Sequence, residues 1–178
     1  EETVAILRGL HEFQAVPGRF EAVARQQPFQ VIVDYAHTDD ALRNVHAAAR
    51  EVADHRIITV FGCGGDRDRG KRPLMARAVA EGADYAILTS DNPRTESPQQ
   101  ILDDTEAGLE EAGWQRGREY QVIEDRRAAI YEAVLRANNG DVVLIAGKGH
   151  EDYQIVGTER RAFDDRAVAR EALVERGA

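Results

Sequence analysis

The chain has 178 residues, 43% of them hydrophobic, enough to bury the core of one domain. A formal net charge of -9 speaks against a general polyanion binder, so no nucleic-acid partner is expected. A single cysteine, Cys63, excludes a disulfide framework and fits a reducing cytoplasm, and no apolar run approaches the roughly 18 residues of a membrane span, so no membrane partner is expected either.

The chain opens Glu1-Glu2-Thr3 without an initiator methionine, which predicts a preceding segment. Thr3 to His11 has the pattern of a helix tail, and Val16-Pro17-Gly18-Arg19 breaks it, because Pro and Gly punctuate structure. A domain boundary is therefore expected near Val16, with 16–178 as one domain. Phe29 to Val33 is an apolar, β-branched run and predicts a buried strand. Thr38 to Ala53 has helical spacing with Thr38 or Asp39 as cap. Arg56 to Phe61 predicts a strand, Arg72 to Glu81 a helix with Pro73 in its first turn, and Tyr85 to Thr89 a strand. Ser97 to Ala112 predicts a helix with Pro98 early and Gly113 near its end. Tyr120 to Ile123 is a weak strand, Asp125 to Ala137 a helix capped by Asp125, and Asp141 to Ala146 a strong strand. Tyr153 to Val156 and Arg160 to Phe163 predict a hairpin around Gly157-Thr158, and Asp164 to Arg176 the closing helix.

Strands that are continuously apolar and alternate with helices belong to a parallel sheet covered on both faces. The expected fold is thus α/β, mostly parallel and doubly wound, with the hairpin adding an antiparallel edge near the C-terminus.

Ligands of such a sheet bind beyond the carboxyl ends of its strands. Asp34-Tyr35-Ala36-His37-Thr38 follows the first strand, and Gly62 to Arg72 the second. Asp91-Asn92-Pro93-Arg94 follows the third, and Gly147-Lys148-Gly149-His150-Glu151 the fifth. The opposite connections show no such clustering of charge and glycine. The glycines of 62–70 let backbone amides approach an anion, with Arg67, Arg69, Lys71 and Arg72 adding charge; a solvated glycine turn is the alternative. Lys71 is followed by Arg72, so the hydroxyl of a magnesium-binding phosphate loop is missing. Asp91 and Arg94, set by Pro93, suit an ammonium and a carboxylate, as an amino acid presents them; an Asx turn with a surface salt bridge would use the same residues. Lys71 and Lys148 are the chain's two lysines, and both lie in these loops. His37 and His150 also lie on the ligand side, where hydrogen-bonding roles outweigh metal binding. His11, His46 and His55 fit surface positions, Cys63 a packed one, and Trp114 a packing anchor.

In order and spacing, Val16-Pro17-Gly18-Arg19-Phe20-Glu21, Asp34 to Thr38, Gly62 to Met75, Asp91 to Glu96 and Gly147 to Gln154 resemble the third domain of the Mur ligases. These are ATP-dependent enzymes that build the peptidoglycan stem peptide. The resemblance implies a Rossmann-like fold and the type that adds meso-diaminopimelate to UDP-N-acetylmuramoyl-L-alanyl-D-glutamate. It further implies partner domains in the same enzyme: an N-terminal domain for the UDP-muramoyl dipeptide and a central domain for ATP and magnesium, with 1–15 as the end of the latter. By the same resemblance, Arg67, Asp91, Asn92, Arg94, Gly147 and Glu151 recognise meso-diaminopimelate, and Arg19 and Asp34 face the nucleotide. Possible roles are left for His37, Lys71, Lys148 and His150, with no metal ligand. Asp39 departs from a proline common in the family. Because the phosphate loop is absent from this stretch, the chain alone is expected to be inactive in ligation. Two other readings compete: a stand-alone binding module for a phosphate-bearing ligand, and a sister ligase for a different amino acid.

Overall fold

A computed structural model describes residues 16–23 and 27–177. The expected helix at Thr3 to His11 lies outside the described residues. The elements in chain order are β1 (Glu21–Ala22), β2 (Gln30–Asp34), α1 (Asp39–Val52), β3 (Ile57–Phe61), α2 (Lys71–Gly82), β4 (Tyr85–Leu88) and α3 (Pro98–Glu111). They continue with β5 (Tyr120–Val122), α4 (Arg126–Arg136), β6 (Val142–Ala146), β7 (Tyr153–Val156), β8 (Glu159–Ala162) and α5 (Asp165–Glu175).

The main sheet has six strands in the order β1-β2-β6-β3-β4-β5. All neighbours pair in parallel except β1, which runs antiparallel to β2. Every residue of β3, β4 and β6 is buried, which is why these strands have no polar alternation in the sequence. From β2 through β3 and β4 to β5 the chain steps in one direction; β6 then returns to lie between β2 and β3. Right-handed crossovers put the helices of the two directions on opposite faces. One core accordingly joins the sheet to residues of α1, α2 and α3, such as Leu42, Val79 and Leu109, and the other to Ile130, Val134 and Leu173 of α4 and α5.

The caps follow from side-chain chemistry. Thr38 accepts from the Ala41 amide, Asp125 from Ala128 and Asp164 from Arg166. Asp39 sits in the first turn of α1 and pairs with Arg43 at 3.1 Å. Past α3, Gly113 takes φ 84°, and the Trp114 amide donates to Leu109 across the helix end. Trp114 packs against the first core.

Two expectations need correction. The terminal hairpin forms, but as a separate two-stranded sheet; the antiparallel edge of the main sheet is β1, near the N-terminus. The hairpin's amide partners lie in the ligand-side loops instead, where the Arg94 amide donates to the Ile155 carbonyl. His46 is not a surface residue. It lies on the inner face of α1 with Leu42, Val45 and Ala49, and its ring nitrogens meet the Leu42 carbonyl at 2.7 Å and Thr59 Oγ1 at 2.8 Å. Burial holds its pKa below the ordinary histidine value.

Candidate amino-acid site

The loops after β2, β3, β4 and β6 close around a cavity of about 330 Å³, at the strand ends where the winding direction reverses. Arg67, Asp91, Asn92, Arg94, Gly147 and Glu151 all line it, together with His37 and Lys71.

The loop after β4 is fixed from three sides. Arg94 takes φ 53°, a region that costs a non-glycine residue energy unless the surroundings hold it there. The hairpin does so: the Arg94 amide donates to Ile155 at 3.1 Å, and the Gly157 amide donates to the Arg94 carbonyl at 2.7 Å. The loop after β3 holds it from the other side. The Gly65 amide donates to the Asn92 carbonyl at 2.8 Å, and Arg94 Nη1 donates to the Gly65 carbonyl at 2.8 Å. Gly65 is needed there, because a Cβ would stand 1.9 Å from the Pro93 oxygen.

The third support is Lys148, which has no solvent exposure at all. Its Nζ donates to Asn92 Oδ1 at 2.9 Å and to the Tyr153 carbonyl at 2.8 Å. It also lies 3.2 Å from Asp91 Oδ1 and 3.5 Å from Glu151 Oε2. The first of these is an ion contact only, since Asp91 Oδ1 is buried and makes no hydrogen bond. Asn92 spreads the arrangement: its Oδ1 also accepts from the Ile155 amide, and its Nδ2 donates to Glu151 Oε2 at 3.1 Å. Lys148 is thus beneath the site rather than among the groups that line it.

The four cations proposed for the glycine loop divide into two kinds. Arg69 is bound through two nitrogens to Asp104. Arg72 is buried and pairs with both Asp104 and Glu96, so it braces the loop instead of offering charge to an anion. Arg69 holds the Asp104 carboxyl down to about 2, with Arg72 helping. Arg67 and Lys71 are exposed, and among the described residues neither they nor Arg94 has a carboxylate within 4.0 Å. Cys63 also borders the cavity; burial pushes its thiol up to about 11, so it is packed and not nucleophilic.

Arg19, Asp34 and His150 do not line this cavity. They gather around the end of β2. Asp34 accepts from the amides of Phe20 and Ala36, both at 2.7 Å. The Arg19 guanidinium stands 4.9 Å over the Tyr35 ring, which packs T-shaped with His37 at 4.6 Å and tilted with His150 at 5.2 Å. Tyr35 organises this rim, although a tyrosine inside an Asp-Tyr-Ala-His stretch gives no sequence signal of that. No group of three or more His, Cys, Asp or Glu side chains that could hold a metal occurs among the described residues. No helix among them is long and apolar enough to cross a membrane.

The cavity therefore brings cations without a carboxylate partner together with the carboxylates of Asp91 and Glu151. That arrangement suits a small molecule bearing both ammonium and carboxylate groups.

Comparison with known proteins identifies the family. The chain is 56% identical over 169 residues to the UDP-N-acetylmuramoyl-L-alanyl-D-glutamate–2,6-diaminopimelate ligase of Solibacter usitatus, covering 94% of this chain and 33% of that protein. A solved structure of a ligase of the same name superposes with a TM-score of 0.84 at 43% identity, over 98% of this chain and 35% of the other. A bifunctional folylpolyglutamate synthase/dihydrofolate synthase of Yersinia pestis, solved with AMPPNP and manganese, shares the fold alone: TM-score 0.59, 23% identity, 78% and 30% coverage. The chain thus spans about a third of the length of the relatives it matches. The family described as "Mur ligase, glutamate ligase domain" matches residues 18–149, and the chain belongs to the Mur ligase family.

Proposed function

We propose that this chain captures the incoming amino acid for an ATP-dependent ligase that adds meso-diaminopimelate to UDP-N-acetylmuramoyl-L-alanyl-D-glutamate. The observation that carries the proposal is the convergence of Arg67, Arg94, Asp91 and Glu151 on one cavity. Meso-diaminopimelate is a chain with an amino-acid head at each end. In this proposal Arg94 takes a carboxylate of the distal head and Arg67 a second carboxylate. Asp91 and Glu151 take the distal ammonium, Asn92 holds Glu151 in place for it through Nδ2, and Gly147 leaves room for that end. The proximal amine is then turned toward the cavity mouth as the nucleophile.

ATP with magnesium would supply an activated acceptor carboxylate. Among the described residues no cluster of metal-binding side chains occurs, and in this proposal the metal and the phosphates are held by other parts of the ligase. Arg19 and Asp34 are proposed to meet the nucleotide from this side, and residues 1–15 to be the end of the ATP-binding domain. The chain alone would bind and orient an amino acid without ligating it.

Calorimetry on the full-length ligase tests the proposal. L-lysine has the distal ammonium but not the distal carboxylate, so it would leave Arg94 desolvated and unpaired. The expected result is binding of meso-diaminopimelate about 10- to 150-fold tighter than L-lysine, from roughly 1.5–3 kcal/mol for a hydrogen-bonded charged group. Equal affinities would refute the assignment.

A further inference from the structure

Lys148 is a buried cation whose side-chain contacts almost all lead to ligand-side loops. Taking an ammonium out of water costs several kcal/mol unless partners compensate it. Here Asp91, Asn92 and Glu151 do so, and the remaining donor contact is the Tyr153 carbonyl at the start of the hairpin that clamps Arg94. The Tyr153 ring lies 5.8 Å from Nζ. Two other cations nearby are buried, and both are already paired: Arg72 with Glu96 and Asp104, and Arg126 with Asp165 through two contacts of 2.8 Å and with the Ala146 carbonyl.

That leaves a simple charge count. Asp91 and Glu151 contribute two negative charges and Lys148 one positive charge. The cluster faces the cavity with a single uncompensated negative charge, enough for one ligand ammonium. Lys148 also holds Asn92 Oδ1, and so fixes which way the amide Nδ2 points toward Glu151.

We propose that Lys148 is a positioning residue that sets the selectivity of this site for a ligand with a distal ammonium. It holds Asp91 and Glu151 in register as one receptor for that group, without touching the ligand itself. The inference rests on the amino-acid reading of the cavity. Without the ammonium, two like charges face each other with nothing between them. Repulsion drives them apart, and the receptor for the ligand ammonium is lost although both carboxylates are still present.

The test uses the full-length ligase with two amino acids. One is meso-diaminopimelate; the other is 2-aminopimelate, which has both carboxylates but a single amine. The wild type is expected to prefer the first by about 100-fold in kcat/KM, since a site built for an ammonium strongly rejects an analogue lacking it. In Lys148→Met that preference should fall at least tenfold through KM for meso-diaminopimelate, with kcat and KM for ATP within twofold of wild type. If Lys148→Met does not fold, Lys148→Gln carries the test, because its amide keeps a donor for Asn92 or Tyr153 while removing the charge. Either folded variant retaining the wild-type preference would overturn the inference about Lys148 while leaving the amino-acid site standing. A wild type that does not distinguish the two compounds would overturn the reading of the cavity as well.

Discussion

At the amino-terminal rim of the sheet, Arg50 lies 2.8 Å from Asp84 and Arg56 lies 2.7 Å from Asp141. Both acids do more than balance a charge. Asp84 also accepts from the Ile57 amide, and Asp141 from the amides of Arg56 and Asn138, so each ties down the start of a strand. At the carboxyl-terminal rim, Arg67, Lys71 and Arg94 face a cavity with no carboxylate partner among the described residues, while two carboxylates share one buried ammonium. The same residue types occur at both ends. What separates a structural end from a binding end is whether the charges are closed on one another.

The closed rim should lose the most when broken. Asp141 is 1% exposed, and replacing it leaves two backbone amides and the Arg56 guanidinium without their acceptor. Asp141→Ala should cost about 3 kcal/mol in urea unfolding, the scale of a broken buried pair moderated by the partial exposure of Arg56. Its amino-acid affinity, measured on folded protein, should not change. A loss below about 1 kcal/mol would mean that this rim is no more closed than the other.

The open rim should respond the opposite way. Arg94→Ala removes the proposed carboxylate contact and should raise KM for meso-diaminopimelate about 100-fold, or about 2.7 kcal/mol, in the full-length ligase. KM for ATP should stay the same. Stability should fall by about 1 kcal/mol, since Arg94 also donates to the Gly65 carbonyl. An unchanged amino-acid KM would remove Arg94 from the site.

Much of this division was legible in the chain. Continuous apolar runs such as Val142 to Ala146 identified the parallel strands, and glycine and charge after those runs marked the ligand end. What sequence could not show is how charges pair across loops. Arg69, Lys71 and Arg72 look alike along the chain, but Arg69 and Arg72 are consumed by Asp104, which comes from α3 about thirty residues away. Lys148 looked like a candidate contact and is instead a buried support, because its partners come from residues 91–92 and 153. The burial of His46 is not legible in the chain, because a helix with several polar positions does not reveal which polar residue meets a threonine on β3. β1 has two residues and is defined by pairing with β2, not by an apolar pattern of its own.

Asp104 tests whether closed charges at the open rim behave like those at the other end. Its carboxyl is held down to about 2 from an ordinary 3.8, by Arg69 first. A depressed carboxylate stabilises the fold above the unfolded-state value, and that contribution disappears as pH falls from about 4 to about 2. Solvent screening at this site reduces it to about 1 kcal/mol. Asp104→Asn should therefore lower stability at pH 7 by about that amount and flatten the acid limb of the stability curve between pH 4 and 2. An acid limb identical to wild type would show that Arg69 and Arg72 stabilise the loop by packing alone.

The smallest effect should be the most informative, because its two parts have opposite signs. Lys71 is the first residue of α2, whose first turn contains no acid and whose cap, Gly70, makes no side-chain hydrogen bond. A cation at that end opposes the helix dipole, at roughly 0.3–1 kcal/mol. Nothing in the fold compensates for it, since Lys71 is exposed and has no carboxylate partner among the described residues. Lys71→Ala should raise stability by about 0.5 kcal/mol at low salt, an increase that disappears as salt screens the dipole. Amino-acid affinity should fall about threefold, because one of the cations facing the cavity is gone. A gain in stability with no loss of affinity would mean that Lys71 serves neither the fold nor the amino acid, and the open rim's charge would then reside in Arg67 and Arg94.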